Sequence, residues 1–308
     1  MRSAPALADV ARVAQRLAVL LDAGVAPSAA WQFVADSDSR SAAPSISEHV
    51  ARAAEPAGIA DAIGAAALGR PAAESRAWRG LAAAWQVATT AGAPLASALR
   101  EYARSLRELA DAERDVEVAL ASPRATARVV LALPAIGVLF GALMGFGTLE
   151  VLFATPLGWA CLAIGGALMF AARAWNWRLM KSARPVDSTP GLSCELLAIA
   201  MGGGASLDRA RASADAATVR FGLVAADGGR ADAAIRLATR AGVPVAELLR
   251  AEAEELRRDA RSEAQRGAAA LSVRLMLPLG LCVLPAFLVL GVAPLVAAVV
   301  TSVLDGLT

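Results

Sequence analysis

The sequence predicts an all-α integral membrane protein with two duplicated cytoplasmic helical-bundle modules and three transmembrane helices. Three observations carry that prediction. Residues 88–100, ATTAGAPLASALR, return as residues 238–250, ATRAGVPVAELLR, after a shift of 150 positions. Two charge-poor stretches separate and follow the copies: between Arg128 and Arg173 the only charge is Glu150, and between Arg274 and Asp305 there is none. The composition, 57% hydrophobic against 19% charged, is apolar for a soluble domain.

The first module is placed at residues 1–125. Its opening stretch, LAVLLDAGVAPSAA (17–30), is echoed by LAIAMGGGASLDRA (197–210) at a shift of 180, so the first copy carries about 30 extra residues between its motifs. That extra material falls at 37–70: a Ser/Asp/Pro-rich loop at 36–47, then two short helices at 46–54 and 59–68, bounded by Pro56 and Pro71. Apolar positions recur at three- and four-residue spacing over 81–91 and 95–120, and again over 231–241 and 245–260, the helical period. Between the helices of each pair sits Ala-Gly-x-Pro. Glycine tolerates the left-handed conformation that ends a helix, and proline suits the first turn of the next. Gly92 with Pro94 and Gly242 with Pro244 are therefore read as corners of helical hairpins. Gly24 with Pro27 forms a comparable corner, and Gly204 with Ser206 as helix N-cap its counterpart.

A spanning helix needs about 20 mostly apolar residues. Residues 129–149, and 157–172 with its flanks, satisfy that as a hairpin placed at 126–178, and 275–304 as a third span within 269–308, with the second module at 179–268 between them. Pro278, Pro285 and Pro294 interrupt helical hydrogen bonding and permit kinks in the third span. Gly137, Gly141, Gly145, Gly147, Gly165 and Gly166 provide small surfaces for close helix contact, either among the spans or with a partner helix. Arginines set the topology. Arg114, Arg124 and Arg128 precede the first span, Arg173, Arg178, Lys181 and Arg184 follow the second, and Arg257 to Arg274 precede the third. Basic residues stay cytoplasmic, which puts both modules inside and the Glu150 loop and C-terminus outside. Trp159, Trp175 and Trp177 suit interfacial anchors or helix packing. The first 40 residues contain Arg2, Asp9, Arg12, Arg16 and Asp22 and so lack the uninterrupted apolar core of a signal peptide.

Chemistry-bearing patterns are sparse. The one histidine, His49, cannot build a triad or a metal cluster, and it reads as a surface helix residue. Cys161, Cys194 and Cys282 show neither CxxC spacing nor a disulfide framework. The glycines 202–204 lack the strand before and the GKS/T-type ending after that a phosphate loop requires. No catalytic, cofactor or metal residue is assigned, no nucleic-acid partner is expected, and a formal charge of +2 is too small to argue for one. One feature invites a partner. Downstream of each corner runs a strongly charged helix, with Arg100, Glu101, Arg104 and Arg107 in the first copy and Arg250, Glu254, Arg257 and Arg258 in the second. Opposite charges four apart, as in Glu254 and Arg258, suit a solvated face. The same residues are also the candidate docking surface for a cytoplasmic ATPase, since arginine is enriched at interfaces.

The three repeated stretches quoted above, with SVRLMLPLGLCVLPAFLVLGVAPLV (272–296), resemble in order and in relation to the spans the type II secretion system F-domain family. These are inner-membrane platform proteins of secretion systems and type IV pili. The final segment is similar to the Tad/Flp pilus assembly branch (TadB/TadC-like). The family's usual G-E-x-S/T-G-x-L phrase reads T-T-A-G-A-P-L and T-R-A-G-V-P-V here, without its acidic residue, which also favours that branch. The resemblance implies a multi-pass protein of the bacterial inner membrane that is neither an enzyme nor a cofactor carrier. Its expected partners are a secretion or pilus assembly ATPase, a pilin or pseudopilin, membrane lipid, and a paralogous platform protein or a second copy as homodimer. The alternative class is a transporter or permease subunit driven by a separate docked ATPase. A transporter is expected to repeat its spans and carry an intramembrane polar site, whereas the clear repeat here is in the soluble part.

Overall fold

The computed structural model describes residues 3–38, 46–52, 58–143, 153, 155–182, 189–224, 229–294 and 296, and every regular element among them is helical. In chain order these are α1 (Ser3–Asp22), α2 (Pro27–Asp38), α3 (Ile46–Arg52), α4 (Ile59–Ala66), α5 (Ala72–Ala91), α6 (Leu95–Ala119), α7 (Ala121–Leu143), α8 (Pro156–Ser182), α9 (Leu192–Gly202), α10 (Leu207–Arg220), α11 (Arg230–Ala241), α12 (Val245–Arg274), α13 (Met276–Pro278) and α14 (Leu284–Phe287). Two π-helical stretches, Leu279–Val283 and Leu288–Val292, flank α14. The chain divides into two compact units, Met1–Asp115 with Val186–Glu263, and Val116–Pro185 with Ala264–Thr308.

In the first unit, helices from both halves of the chain share one apolar core. On α1 the buried positions Leu7, Val10, Ala11, Ala14, Leu17 and Ala18 follow the three/four spacing of one helical face. The centre of the unit is α5, whose small residues Ala82, Ala83, Ala84 and Ala88 let α1, α4, α9 and α10 all pack against it. Trp85 of α5 meets Trp31 of α2 with ring centroids 6.0 Å apart and planes tilted by 46°. Both rings are buried. A second central helix, α9, is apolar nearly all round, with Leu196 to Ala200 buried. Its 11 residues span roughly 16 Å, too short for a bilayer, and all-round apolarity then means a core helix.

The corners have a shared geometry. Gly92 (φ +68°) and Gly242 (φ +67°) both end their helices left-handed and donate to the carbonyls of Ala88 and Ala238. The following residues, Ala93 and Val243, donate to those same carbonyls at 2.9 and 3.1 Å, so the two corners are built alike at the 150-residue shift. Pro94 and Pro244 stand just before α6 and α12, where their carbonyls accept from Ala98 and Leu248. Gly24 (φ +84°) and Gly204 (φ +78°) are likewise left-handed, and each donates to the residue three before it, Leu21 and Met201. Ser206 does precede α10, but it makes no side-chain cap; only its carbonyl takes part, accepting from Ala210 at 2.8 Å.

The segment 37–70 is more helical than its composition suggests. Residues 36–38 continue α2, and Ile46 and Ser47 already belong to α3; the rest of the expected loop lies outside the described residues. Helix α4 is fastened to the end of α10. Arg220 pairs with Asp61 at 2.6 Å, and Phe221 fills the space above Gly64, where a Cβ would come within 2.9 Å of its ring.

In the second unit, α7 and α8 each pack against the stretch from Met276 to Val292. Gly137 and Gly291 face each other so closely that a Cβ on Gly137 would lie 3.8 Å from the Gly291 Cα and 3.0 Å from the Phe287 ring. A Cβ on Gly165 would meet Leu290 at 2.3 Å, while Gly166 faces open space. Both π stretches begin within three residues after a proline, Pro278 or Pro285, whose missing N–H removes an α-helical bond. Among the described residues, two helices are long and apolar enough to cross a membrane, Gly158–Leu179 and Val245–Val292. The expected first span, 129–149, is helical through Leu143; its remainder, the Glu150 loop and the C-terminal residues lie outside the described residues.

Candidate functional site

The charged helices were the only functional candidates in the sequence, and the structure sorts their residues into two groups. Facing α12, α6 presents Glu101, Glu108 and Asp115 at intervals of seven, one helical face repeating every two turns. Arg250 donates through Nε to both carboxylate oxygens of Glu101, at 2.9 and 3.2 Å. Arg257 donates through Nε to Glu108 at 2.8 Å, and Arg261 pairs with Asp115. The first two pairs are each separated by 149 residues and the third by 146. A near-constant offset requires the two helices to run parallel. Because it nearly equals the repeat shift, Glu101 and Glu108 each meet the arginine just before their own counterpart position, while the partner of Asp115 lies four positions before its counterpart. The ladder thus joins the two repeated segments in register.

A buried acid completes it. Glu195 on α9 is 3% exposed; one of its carboxylate oxygens accepts from Ser105 at 2.7 Å and faces Arg257 at 3.5 Å. Its other oxygen has no hydrogen-bond partner among the described residues. Burial disfavours the charged form most strongly, and Glu101 and Glu108 add to that; Arg257 and Ser105 oppose it. Burial wins, and the carboxyl is pushed up to about 7. Beside it, Tyr102 donates to the Ala77 carbonyl at 2.7 Å, and burial raises its phenol well above the ordinary value. The tyrosine fits because residue 80 is glycine: a Cβ there would lie 2.3 Å from the hydroxyl.

Of the sequence candidates, Glu101, Arg250 and Arg257 therefore turn into the ladder, with only 11% of the Arg257 side chain exposed. Arg100 reaches Asp22 at the Gly24 corner, at 2.9 Å. Glu254 and Arg258 pair along their own helix at 3.6 Å. Arg104 and Arg107 are exposed. Of the corner glycines, Gly24, Gly92, Gly204 and Gly242 have open space where a Cβ would be, so only their positive φ calls for glycine. Gly203, not singled out in the sequence, is different. A Cβ there would lie 2.1 Å from the Ala91 carbonyl, because the Gly204 corner sits directly on the Gly92 corner. Glu195 and Ser105 also escaped the sequence reading. A lone acid among LSCELLAIA was the one available signal, since a charge on an otherwise apolar helix needs a partner.

In the ladder guanidinium groups pair with carboxylates, and the Ser105 hydroxyl that donates to Glu195 is buried with it. His49 is exposed on α3, the three cysteines are buried, and among the described residues there is no disulfide and no group of three or more His, Cys, Asp or Glu that could hold a metal ion. No curated protein and no solved structure matches the chain. A family model, type II secretion system (T2SS), protein F, matches residues 13–142 and 233–293. Those segments include the Gly92 and Gly242 corners and all three acids and arginines of the ladder, and they cover more than half of the 308 residues; the chain belongs to the type II secretion system protein F family.

Proposed function

We propose that this chain is a non-enzymatic inner-membrane platform of a Tad/Flp-type pilus or related secretion apparatus, coupling a cytoplasmic assembly ATPase to the insertion of pilin into a filament. Family membership is the observation that carries the reading. In it, residues 1–125 and 179–268 are two copies of one cytoplasmic module, 126–178 form a membrane hairpin, and 269–308 hold a third span with an external end. Apolar exposure supports the membrane part: Leu139, Phe140, Leu143, Phe170, Leu281 and Leu284 are each more than half exposed, an arrangement stable in lipid and costly in water. The in-register ladder supports the coupling, because force applied to one copy reaches the other through paired charges instead of a hinge. Arg104, Arg107 and Arg258 are exposed cations outside the ladder that an ATPase can reach.

The test is recovery of the tagged full-length chain from its own membranes, with bound proteins identified by mass spectrometry. A hexameric secretion ATPase and a small pilin are expected, with the ATPase reduced by Arg104→Glu. A solute-binding protein in their place would make the chain a transporter subunit. An ATPase retained equally by Arg104→Glu would leave the platform role and move its docking face.

A further inference from the structure

Two shallow cavities lie end to end along α1 and share Gln15 and Arg16. One, of about 370 Å³, runs between α1 and α6 and is lined by Arg12, Arg16, Arg107 and Arg114 against a single acid, Asp111. The other, of about 360 Å³, runs between α1 and α2 over Val19, Leu20, Phe33 and Val34. We infer that this continuous groove is a docking site for an acidic amphipathic helix of a soluble partner protein, whose carboxylates meet the arginines and whose apolar side chains seat against Val19 and Phe33.

Charge and exposure both favour that occupant. Arg107 is exposed and has no partner among the described residues. Arg12 and Arg114 are held only by Asp9 and Asp111 three residues away on their own helices, in pairs that are about half exposed. Exposed pairs of this kind are worth little, so both guanidiniums can turn to an incoming carboxylate, and their planar forks suit it. At the other end, Phe33 is 57% and Val19 55% exposed, which leaves an apolar patch at the foot of a cationic slot. From Ala8 to Leu20 the groove follows α1 for roughly 18 Å, the length of about three helical turns. An anion alone would leave the apolar half uncovered, and an apolar ligand alone would leave Arg107 unanswered. The inference deepens the platform reading and rests on it only for which protein supplies the helix.

The test uses the full-length chain in nanodiscs and fluorescein-labelled peptides of roughly 14 residues. Each peptide groups glutamates in one half and Leu/Trp in the other, made in both orders, with lysine-for-glutamate controls. At least one acidic peptide is expected to bind, to weaken with added salt, and to lose about tenfold or more in affinity with Arg107→Glu and with Phe33→Asp, neither of which touches the core. Anisotropy no greater than on empty discs, or binding that both variants leave intact, would overturn the docking site. Binding in phosphatidylcholine discs that disappears in phosphatidylglycerol discs would hand the groove to lipid headgroups and overturn it too. Its failure is separable from that of the platform reading, because the membrane recovery experiment scores an ATPase and a pilin without reference to these peptides.

Discussion

Glu195 sits where burial and attraction oppose each other. Its folded value of about 7 lies above the ordinary 4.5, so the folded state holds the proton more tightly than the unfolded chain. The stability this contributes is complete below pH 4.5 and is lost as the pH rises through 7. The full-length chain in detergent should therefore lose thermal stability between pH 5 and pH 8, by at most about 3 kcal/mol from this group. Glu195→Gln should flatten that slope, and a slope unchanged in the variant would assign the proton to another residue. Gly203 offers a steric counterpart. With the Ala91 carbonyl 2.1 Å from its missing Cβ, Gly203→Ala has to move backbone and should cost more than about 2 kcal/mol. Gly24→Ala, at φ +84° in open space, should cost only about 1–2 kcal/mol of left-handed strain. Equal melting points for the two variants would deny the close approach of the corners.

Among elements, the α6–α12 ladder makes the sharpest prediction because its rungs differ in burial. Arg250 and Glu101 are partly exposed, at 38% and 22% of their side chains, and Arg250→Ala should cost no more than about 1 kcal/mol. Arg257 serves two acids, one of them buried. Its replacement by alanine should cost about 3 kcal/mol at pH 8 and less at pH 5, where Glu195 carries its proton. Adding Glu195→Gln should recover part of the loss; a strictly additive double variant would show that Arg257 and Glu195 do not interact. The charge pattern of these helices was visible in the sequence, with opposite charges at helical spacing. Their pairing across helices was not, because spacing of four along one helix and seven across two draws on the same residues. Only the neighbour decides which pair forms.

For the whole molecule, the arginine distribution predicts that a cysteine at Ser97 is labelled only from the cytoplasmic side and one at Thr308 only from outside. Labelling of both from one side would break the proposed topology. The helical class, the corners at Gly24, Gly92, Gly204 and Gly242, and the apolar helix over Gly158–Leu179 follow from local causes: a positive φ that glycine alone adopts cheaply, and a run of apolar side chains at helical length. The sequence by itself therefore determined where the chain turns at these corners and that the helix over Gly158–Leu179 suits a membrane. The tertiary structure decided that helices from both halves share a single core around α5 and α9, that Gly203 is needed for contact and not for conformation, and that Arg250 and Arg257 face inward. Those outcomes depend on which residue arrives from more than 60 positions away, and periodicity along a chain carries no information about that.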